Sequence, residues 1–190
     1  MSCGPGTTAM AFDVTNPEAV AWARTQSSKL ITEITAEARA AIRETVAMGF
    51  ENGIPPRDLA KLIKANIGLT ERNAKAVMRQ HLADLADGMK SKAATARAEA
   101  YANRLLRSRA RTIARTEMMK AANEGQSQLW GQAREAGLLS GKEKKVWITA
   151  DPCPICAPLE GETVGVNESF SIGTDPPAHP NCRCTIGLVG

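Results

Sequence analysis

The segments Cys153-Pro154-Ile155-Cys156 and His179-Pro180-Asn181-Cys182-Arg183-Cys184 place four thiols and an imidazole within the last 38 residues of a 190-residue chain. Thiolate and imidazole are the ligands that tetrahedral zinc prefers, and two close pairs separated by a loop are the usual way to build a small structural zinc site. A unit this short buries too little surface to be stable alone, so a metal would have a structural role in it. The pattern therefore predicts a zinc-stapled module at the C-terminal end.

Five donors compete for four positions around the predicted ion. Cys182 and Cys184 are two residues apart, so in an extended segment their side chains point to opposite faces. We therefore predict that the ligands are Cys153, Cys156, His179 and Cys182, with Cys184 as the alternative to Cys182. Four protein ligands leave no position for a reactive water, so the predicted zinc is structural rather than catalytic.

The other interpretations of these cysteines are disulfide bonds and unligated thiols. Residues 1–10 have neither the basic nor the apolar stretch of a secretory leader, so we expect a reducing compartment, which favours metal binding. Asp151, Glu160 and Glu162 lie near the cysteines, but their Asp-Pro and Glu-Gly contexts are typical of solvated turns. With no nucleophile and base in a catalytic arrangement, we predict that the protein is not an enzyme.

The region before the cysteines carries the signals of successive helices. Capping residues, or prolines suited to a first turn, predict helix starts at Asn16-Pro17, Thr35, Pro55-Pro56 and Thr70-Glu71. Glycines predict the ends of the last three of these helices, at Gly53, Gly68 and Gly88, and the fourth helix has Val77, Leu82 and Leu85 as apolar positions. From Lys90 to about Ala136 the proline-free, alanine-rich sequence favours helix, with Gly125 and Gly131 marking bends or close packing.

The composition changes after Gly137, where proline and glycine become frequent. Residues 145–149 are typical of a β-strand, and residues 185–189 look like a closing strand. We predict a flexible lead-in at residues 1–10, a helical body at 11–138 and a small zinc-binding β-rich module at 139–190. The predicted fold class is mainly α, a multi-helix body followed by the zinc-stapled module, and α+β overall.

The net charge also differs between the two parts of the chain. Residues 1–150 carry a net charge of +8 and residues 151–190 a net charge of −4. This asymmetry predicts two units with different partners. The apolar runs are too short to span a bilayer, so we expect no membrane association.

A row of arginines is predicted on one face of the long helical stretch. The spacing of three, four and four residues aligns its members, which are Arg104, Arg107, Arg111 and Arg115. Such a row suits DNA phosphates and would bind without regard to sequence. The alternative is a solvated or salt-bridged face, with Asp84, Glu99 and Glu117 as candidate partners.

Several segments together resemble a known family. Residues 147–151 (Trp-Ile-Thr-Ala-Asp), the Cys-Pro-x-Cys pair, and residues 176–184 (Pro-Pro-Ala-His-Pro-Asn-Cys-Arg-Cys) resemble the C-terminal signature of the phage head morphogenesis family of Mu protein F-like minor head proteins. Residues 113–117 (Ile-Ala-Arg-Thr-Glu) resemble its helical motif. Residues 12–17 and 68–72 resemble its N-terminal helical part. The resemblance covers roughly residues 11–190.

The resemblance implies a minor capsid component that acts in head assembly. It implies the portal protein and the capsid or scaffold as partners, multiple copies per head, non-specific DNA contact, and passage from the host cytoplasm into the interior of the virion head. In that family the second half-site is His-Pro-x-Cys-Arg, which favours Cys182 over Cys184. The competing interpretations are a zinc-dependent nuclease or hydrolase and a zinc-containing DNA-binding protein.

Overall fold

A computed structural model describes Pro17, Val20, Ala21 and residues 35–51, 53–64 and 67–190. The predicted lead-in and most of the first predicted helix lie outside the described residues; Pro17, Val20 and Ala21 are helical. From residue 35 onward the described helices are α1 (Ala36–Glu51), α2 (Pro56–Lys64), α3 (Glu71–Ala86) and α4 (Ser91–Glu135). The strands that follow are β1 (Lys144–Ile148), β2 (Thr163–Gly165) and β3 (Thr185–Val189).

The helix-end signals at Thr35, Thr70, Gly53 and Gly88 are confirmed, whereas Gly68 lies beyond the end of α2 at Lys64 and has no positive φ angle. The hydroxyl of Thr35 accepts a hydrogen bond from the backbone N–H of Ala38 at 3.1 Å, and that of Thr70 accepts one from Asn73 at 3.2 Å. Each threonine thereby satisfies a donor that the first turn leaves without a partner. Gly53 and Gly88 follow α1 and α3 with φ angles of 61° and 82°, which glycine adopts without steric cost.

The long stretch forms one helix of 45 residues, α4, because it is rich in helix-forming residues and contains no proline. Neither predicted bend interrupts it. Gly125 is buried, and a Cβ atom on Gly131 would lie 3.5 Å from Oδ1 of Asn167. Burial of Gly125 agrees with the predicted close packing, whereas a Cβ atom at Gly131 would make an ordinary van der Waals contact.

Two apolar clusters lie along α4. In the first, Ile113 and Ala114 of α4 pack against residues of α1 and α2, including Ile42, Phe50 and Leu59. In the second, Trp130 near the end of α4 packs with residues of the sheet and its loops, including Trp147, Phe170 and Ile186. The same helix therefore contributes to the packing of the helical region and of the C-terminal sheet.

Helix α3 packs against α4 through a polar contact that the apolar pattern did not indicate. Asp84 is buried, accepts a hydrogen bond from Gln80 and forms an ion pair with Arg97 at 3.3 Å. Leu82 and Leu85, two of the apolar positions of this helix, are 57% and 37% exposed. The side of α3 that carries Asp84 is therefore the more buried one, and Leu82 and Leu85 lie on the exposed side.

The strands form an antiparallel sheet in the order β2-β1-β3. Trp147 of β1 lies opposite Ile186 of β3, and its ring meets that of Phe170 edge to face at 5.2 Å between centroids. The two predicted strands are confirmed to within one residue, and β2 was not predicted. The α+β fold class is therefore confirmed, and none of the described helices is long and apolar enough to cross a membrane.

Candidate metal centre

Two short turns present the cysteine and histidine side chains. Cys153 and Cys156 lie in a turn closed by hydrogen bonds from the N–H groups of Cys156 and Ala157 to the carbonyl of Cys153, at 3.0 and 2.8 Å. His179 and Cys182 lie in the loop before β3, where the N–H of Cys182 donates to the carbonyl of His179 at 3.2 Å. Each pair is thus oriented by its own backbone, and the packing of the sheet brings the pairs together.

Neighbouring donor atoms of the cluster lie about as close together as the ligands of a single ion. Nε2 of His179 is 3.1 Å from Sγ of Cys153 and 3.3 Å from Sγ of Cys156, and Sγ of Cys156 is 3.6 Å from Sγ of Cys182. Donors on a tetrahedral ion with bonds of about 2.0–2.3 Å are about 3.3–3.8 Å apart. Cys153, Cys156 and His179 are therefore positioned to hold a metal ion, and their chemistry fits one, whereas Cys182 approaches this group only through Cys156.

Cys182 and Cys184 belong to a second, overlapping group of donors. The donor atoms of Cys153, Cys156 and His179 all lie within 4.8 Å of one another, and so do those of Cys156, Cys182 and Cys184. Cys156 is common to both groups. The four cysteines that the structure describes form no disulfide bonds.

The surroundings of the two competing thiols differ. Burial opposes ionisation of Cys182, but the backbone N–H groups of Cys184 and Ala178 donate to its sulfur, and the net effect is a lowered pKa. The distance from the Cys184 nitrogen to that sulfur is 3.5 Å. Burial is the main cause of the raised pKa of Cys184. The local environment therefore favours the thiolate form at Cys182 and opposes it at Cys184.

The pKa values of the Cys153 and Cys156 thiols are also shifted. A hydrogen bond from the backbone N–H of Cys156 is the main cause that lowers the pKa of the Cys153 thiol to about 7. Burial instead raises the pKa of the Cys156 thiol.

The imidazole of His179 is oriented by a backbone contact, in which Nδ1 lies 2.9 Å from the carbonyl oxygen of Pro180. A proton on Nδ1 donated to that carbonyl leaves the Nε2 lone pair directed at the cysteines, as a metal ligand requires.

Helix α4 contacts the second turn from a distant part of the sequence. The N–H of Asn181 donates to Oγ1 of Thr116 at 2.7 Å, and Arg115 donates to Oδ1 of Asn181 at 2.7 Å. Asn123 donates to the carbonyls of Pro176 and Cys184 at 3.0 and 3.1 Å. The sequence did not predict these contacts, although Arg115 and Thr116 lie in the segment that resembles the family's helical motif.

The predicted arginine row divides into two parts. Arg104, Arg107 and Arg111 are exposed, and the guanidinium of Arg104 lies 4.9 Å from the centre of the Tyr101 ring. Arg115 instead contacts the loop of the metal centre. Of the acidic residues considered as partners of the row, Asp84 pairs with Arg97, and Glu117 is buried.

Two of the three acidic residues near the cysteines accept hydrogen bonds that hold turns together. Glu160 accepts a hydrogen bond from the N–H of Thr149 at 2.6 Å, an interaction that lowers its pKa. Glu162 accepts hydrogen bonds from the N–H and hydroxyl of Ser171. Asp151 lies 3.4 Å from Arg183 at the surface. These contacts agree with the prediction that the three carboxylates are turn residues.

The fold and the site together define a class: an α+β protein with one long helix, whose small C-terminal sheet carries a Cys/His cluster positioned to hold a metal ion. The family model described as Phage Mu protein F like protein matches residues 40–187, more than three quarters of the chain. The chain belongs to this family and is a Mu protein F-like phage head morphogenesis protein. Searches of curated proteins and of solved structures found no match.

Proposed function

We propose that this protein is a minor head protein that binds the portal during head assembly and is enclosed, in multiple copies, in the head interior after assembly in the host cytoplasm. The single observation that carries the proposal is the family match over residues 40–187, which spans both the helices and the Cys/His cluster. The role proposed is structural rather than enzymatic. It agrees with the contacts of Glu160 and Glu162, which hold turns, and with the surface ion pair of Asp151 and Arg183.

The metal proposed for the cluster is zinc, with a structural role. A set of three thiols and one imidazole suits tetrahedral zinc, and the set proposed is Cys153, Cys156, His179 and Cys182. Cys182 is preferred to Cys184 because its sulfur accepts a backbone hydrogen bond from Cys184, which stabilises the thiolate that binds metal. Bound at this position, the ion would join the turn after β1 to the loop before β3.

The exposed arginines of α4 support non-specific contact with packaged DNA. Arg104, Arg107 and Arg111 lie along one side of α4, and all three are exposed. The net negative charge of residues 151–190 would be repelled by DNA, so the helical region would face the genome. Other surfaces of the protein would then contact the capsid or scaffold.

Portal binding can be tested by a pull-down with assembled portal rings. Wild-type protein, a deletion of residues 1–10, Cys156→Ser and the matched control Cys3→Ser would be compared. We expect recovery of the wild type, the deletion and the control, and loss of Cys156→Ser, because an unfolded module presents no fixed surface. Equal recovery of Cys156→Ser would indicate that the portal binds the helices and not the C-terminal module. Absence of wild-type recovery would overturn the portal proposal.

A further inference from the structure

We propose that Arg115, Thr116 and Asn123 of α4 are positioning residues of the metal centre, which set the backbone of the loop that carries His179 and Cys182. This inference rests on the proposed zinc site and assigns it a set of supporting residues more than 50 positions earlier in the chain. The supporting residues lie on one rigid helix, whereas the ligands lie on turns. The helix would therefore supply the rigidity that the turns lack.

Asn181 lies between His179 and Cys182, the two predicted ligands of the second turn. Its φ angle is 65°, the one positive value among the non-glycine residues that the structure describes. Asparagine tolerates this left-handed conformation better than most residues, but it still needs support from its surroundings. The direction in which the chain leaves His179 and enters Cys182 depends on this residue.

Thr116 supplies that support in a defined orientation. Its hydroxyl donates its single proton to the carbonyl of Thr112 at 2.8 Å, so the oxygen is left to accept from the N–H of Asn181 at 2.7 Å. Thr116 is 3% exposed, and water has little access to replace either bond. The hydroxyl thus fixes the peptide between Pro180 and Asn181.

Arg115 holds the side chain of the same asparagine. Its Nη1 donates to Oδ1 of Asn181 at 2.7 Å, so adjacent residues of α4 bind the backbone and the side chain of Asn181. Arg115 is the last member of the predicted arginine row. Its contact with the loop separates its role from that of the exposed Arg104, Arg107 and Arg111.

Asn123, about two turns further along α4, holds the ends of the loop. Its amide donates to the carbonyls of Pro176 and Cys184, and its oxygen accepts from the hydroxyl of Thr185 at 2.8 Å. Both of its protons are used, and the residue is 2% exposed. The segment from Pro176 to Thr185 is therefore attached to one helix at its middle and at both ends.

Loss of a group that orients a metal ligand typically weakens metal binding about 10–100-fold. We expect a weakening in this range for Thr116→Val, measured on the full chain by competition for Zn²⁺ with a chromogenic chelator at fixed pH. Thr116→Ser keeps the hydroxyl and should bind zinc nearly as the wild type does. Thr112→Val is the matched control, because it removes a hydroxyl one turn away and leaves the carbonyl that Thr116 uses.

A second pair of variants keeps the test decisive if Thr116→Val does not fold. Arg115→Gln should weaken zinc binding in the same direction, whereas Arg111→Gln, one turn earlier on the exposed surface, should leave it unchanged. A merely structural role for these side chains would lower the melting temperatures of the metal-free and zinc-loaded protein equally and leave the chelator competition unaltered. That result, with normal zinc binding by the wild type, would overturn the positioning role alone. Absence of zinc binding by the wild type would overturn the proposed site as well.

Discussion

Lys145 and Asp175 form an ion pair within the C-terminal module, with Nζ 2.8 Å from Oδ1 and 3.0 Å from Oδ2. The Lys145 side chain is only 4% exposed and the Asp175 side chain 13%. The ammonium group also donates to Oγ of Ser127 on α4 and lies 5.5 Å from the centre of the Phe170 ring. One cation thus joins β1, α4 and the loop that precedes the metal-binding turn.

Removal of one charge from this buried pair should be costly. Asp175→Asn leaves the Lys145 ammonium without its counter-charge, which we expect to lower the free energy of unfolding by about 3–5 kcal/mol. The double variant Lys145→Met with Asp175→Asn should be more stable than Asp175→Asn alone, because no buried charge remains. Urea unfolding followed by circular dichroism measures both.

The exposed pair Asp151 and Arg183 is the matched control. Its side chains are 74% and 52% exposed, so Asp151→Asn should change the free energy of unfolding by no more than about 1 kcal/mol. Equal effects of the two aspartate substitutions on the free energy of unfolding would show that the pair of Lys145 and Asp175 stabilises the fold no more than a surface pair does.

Metal content is the most direct prediction of the proposed site. Protein purified without chelator should contain one zinc per chain by elemental analysis, and Cys153→Ser or His179→Ala should lose it. Because zinc binds the deprotonated ligands, affinity should fall as the pH is lowered. Cys184→Ser should retain more zinc than Cys182→Ser.

Two results would contradict the zinc site. Metal-free wild-type protein with a disulfide between the two turns, detected by mass spectrometry, would support the disulfide interpretation. Greater loss of zinc from Cys184→Ser than from Cys182→Ser would reverse the choice between these two ligands.

Any binding of DNA should be indifferent to sequence and steeply reduced by salt, because the exposed arginines suit phosphates rather than base edges. Replacement of Arg104, Arg107 and Arg111 by glutamine should reduce the salt dependence by about two to three phosphate equivalents if all three contact DNA. Titration of labelled duplex at several salt concentrations measures the slope. An unchanged salt dependence of DNA affinity in the triple variant would mean that the arginine row has a role other than DNA contact.

The close approach of α1 and α2 gives a prediction about stability. A Cβ atom at Gly49 would lie 2.8 Å from Cδ1 of Leu59, which is fully buried. Gly49→Val should lower the free energy of unfolding by about 1–3 kcal/mol, because the packed side chain has little room to move. Gly68→Val is the control, since a Cβ there meets nothing within 4 Å. Equal stability of the two variants in urea would contradict the tight packing at Gly49.

The sequence alone determined the features that depend on neighbouring residues or on side-chain chemistry. Thr35 and Thr70 predicted helix starts because a capping hydroxyl acts within three residues. The α+β class followed from the change of composition after Gly137. The donor set followed from ligand chemistry and spacing, and the structure brings Cys153, Cys156 and His179 to within 4.8 Å of one another.

The tertiary structure decided the features that depend on contacts between distant residues. The bond from Asn181 to Thr116 joins residues 65 positions apart, and no local pattern marks a helical threonine as the partner of a loop. The three-residue strand β2 is too short to show alternation, and its pairing with β1 defines it. Leu82 is exposed although it is apolar, whereas Asp84 of the same helix is buried and pairs with Arg97 of α4. Local propensity specifies where elements begin, whereas burial and long-range hydrogen bonding specify which of their faces meet.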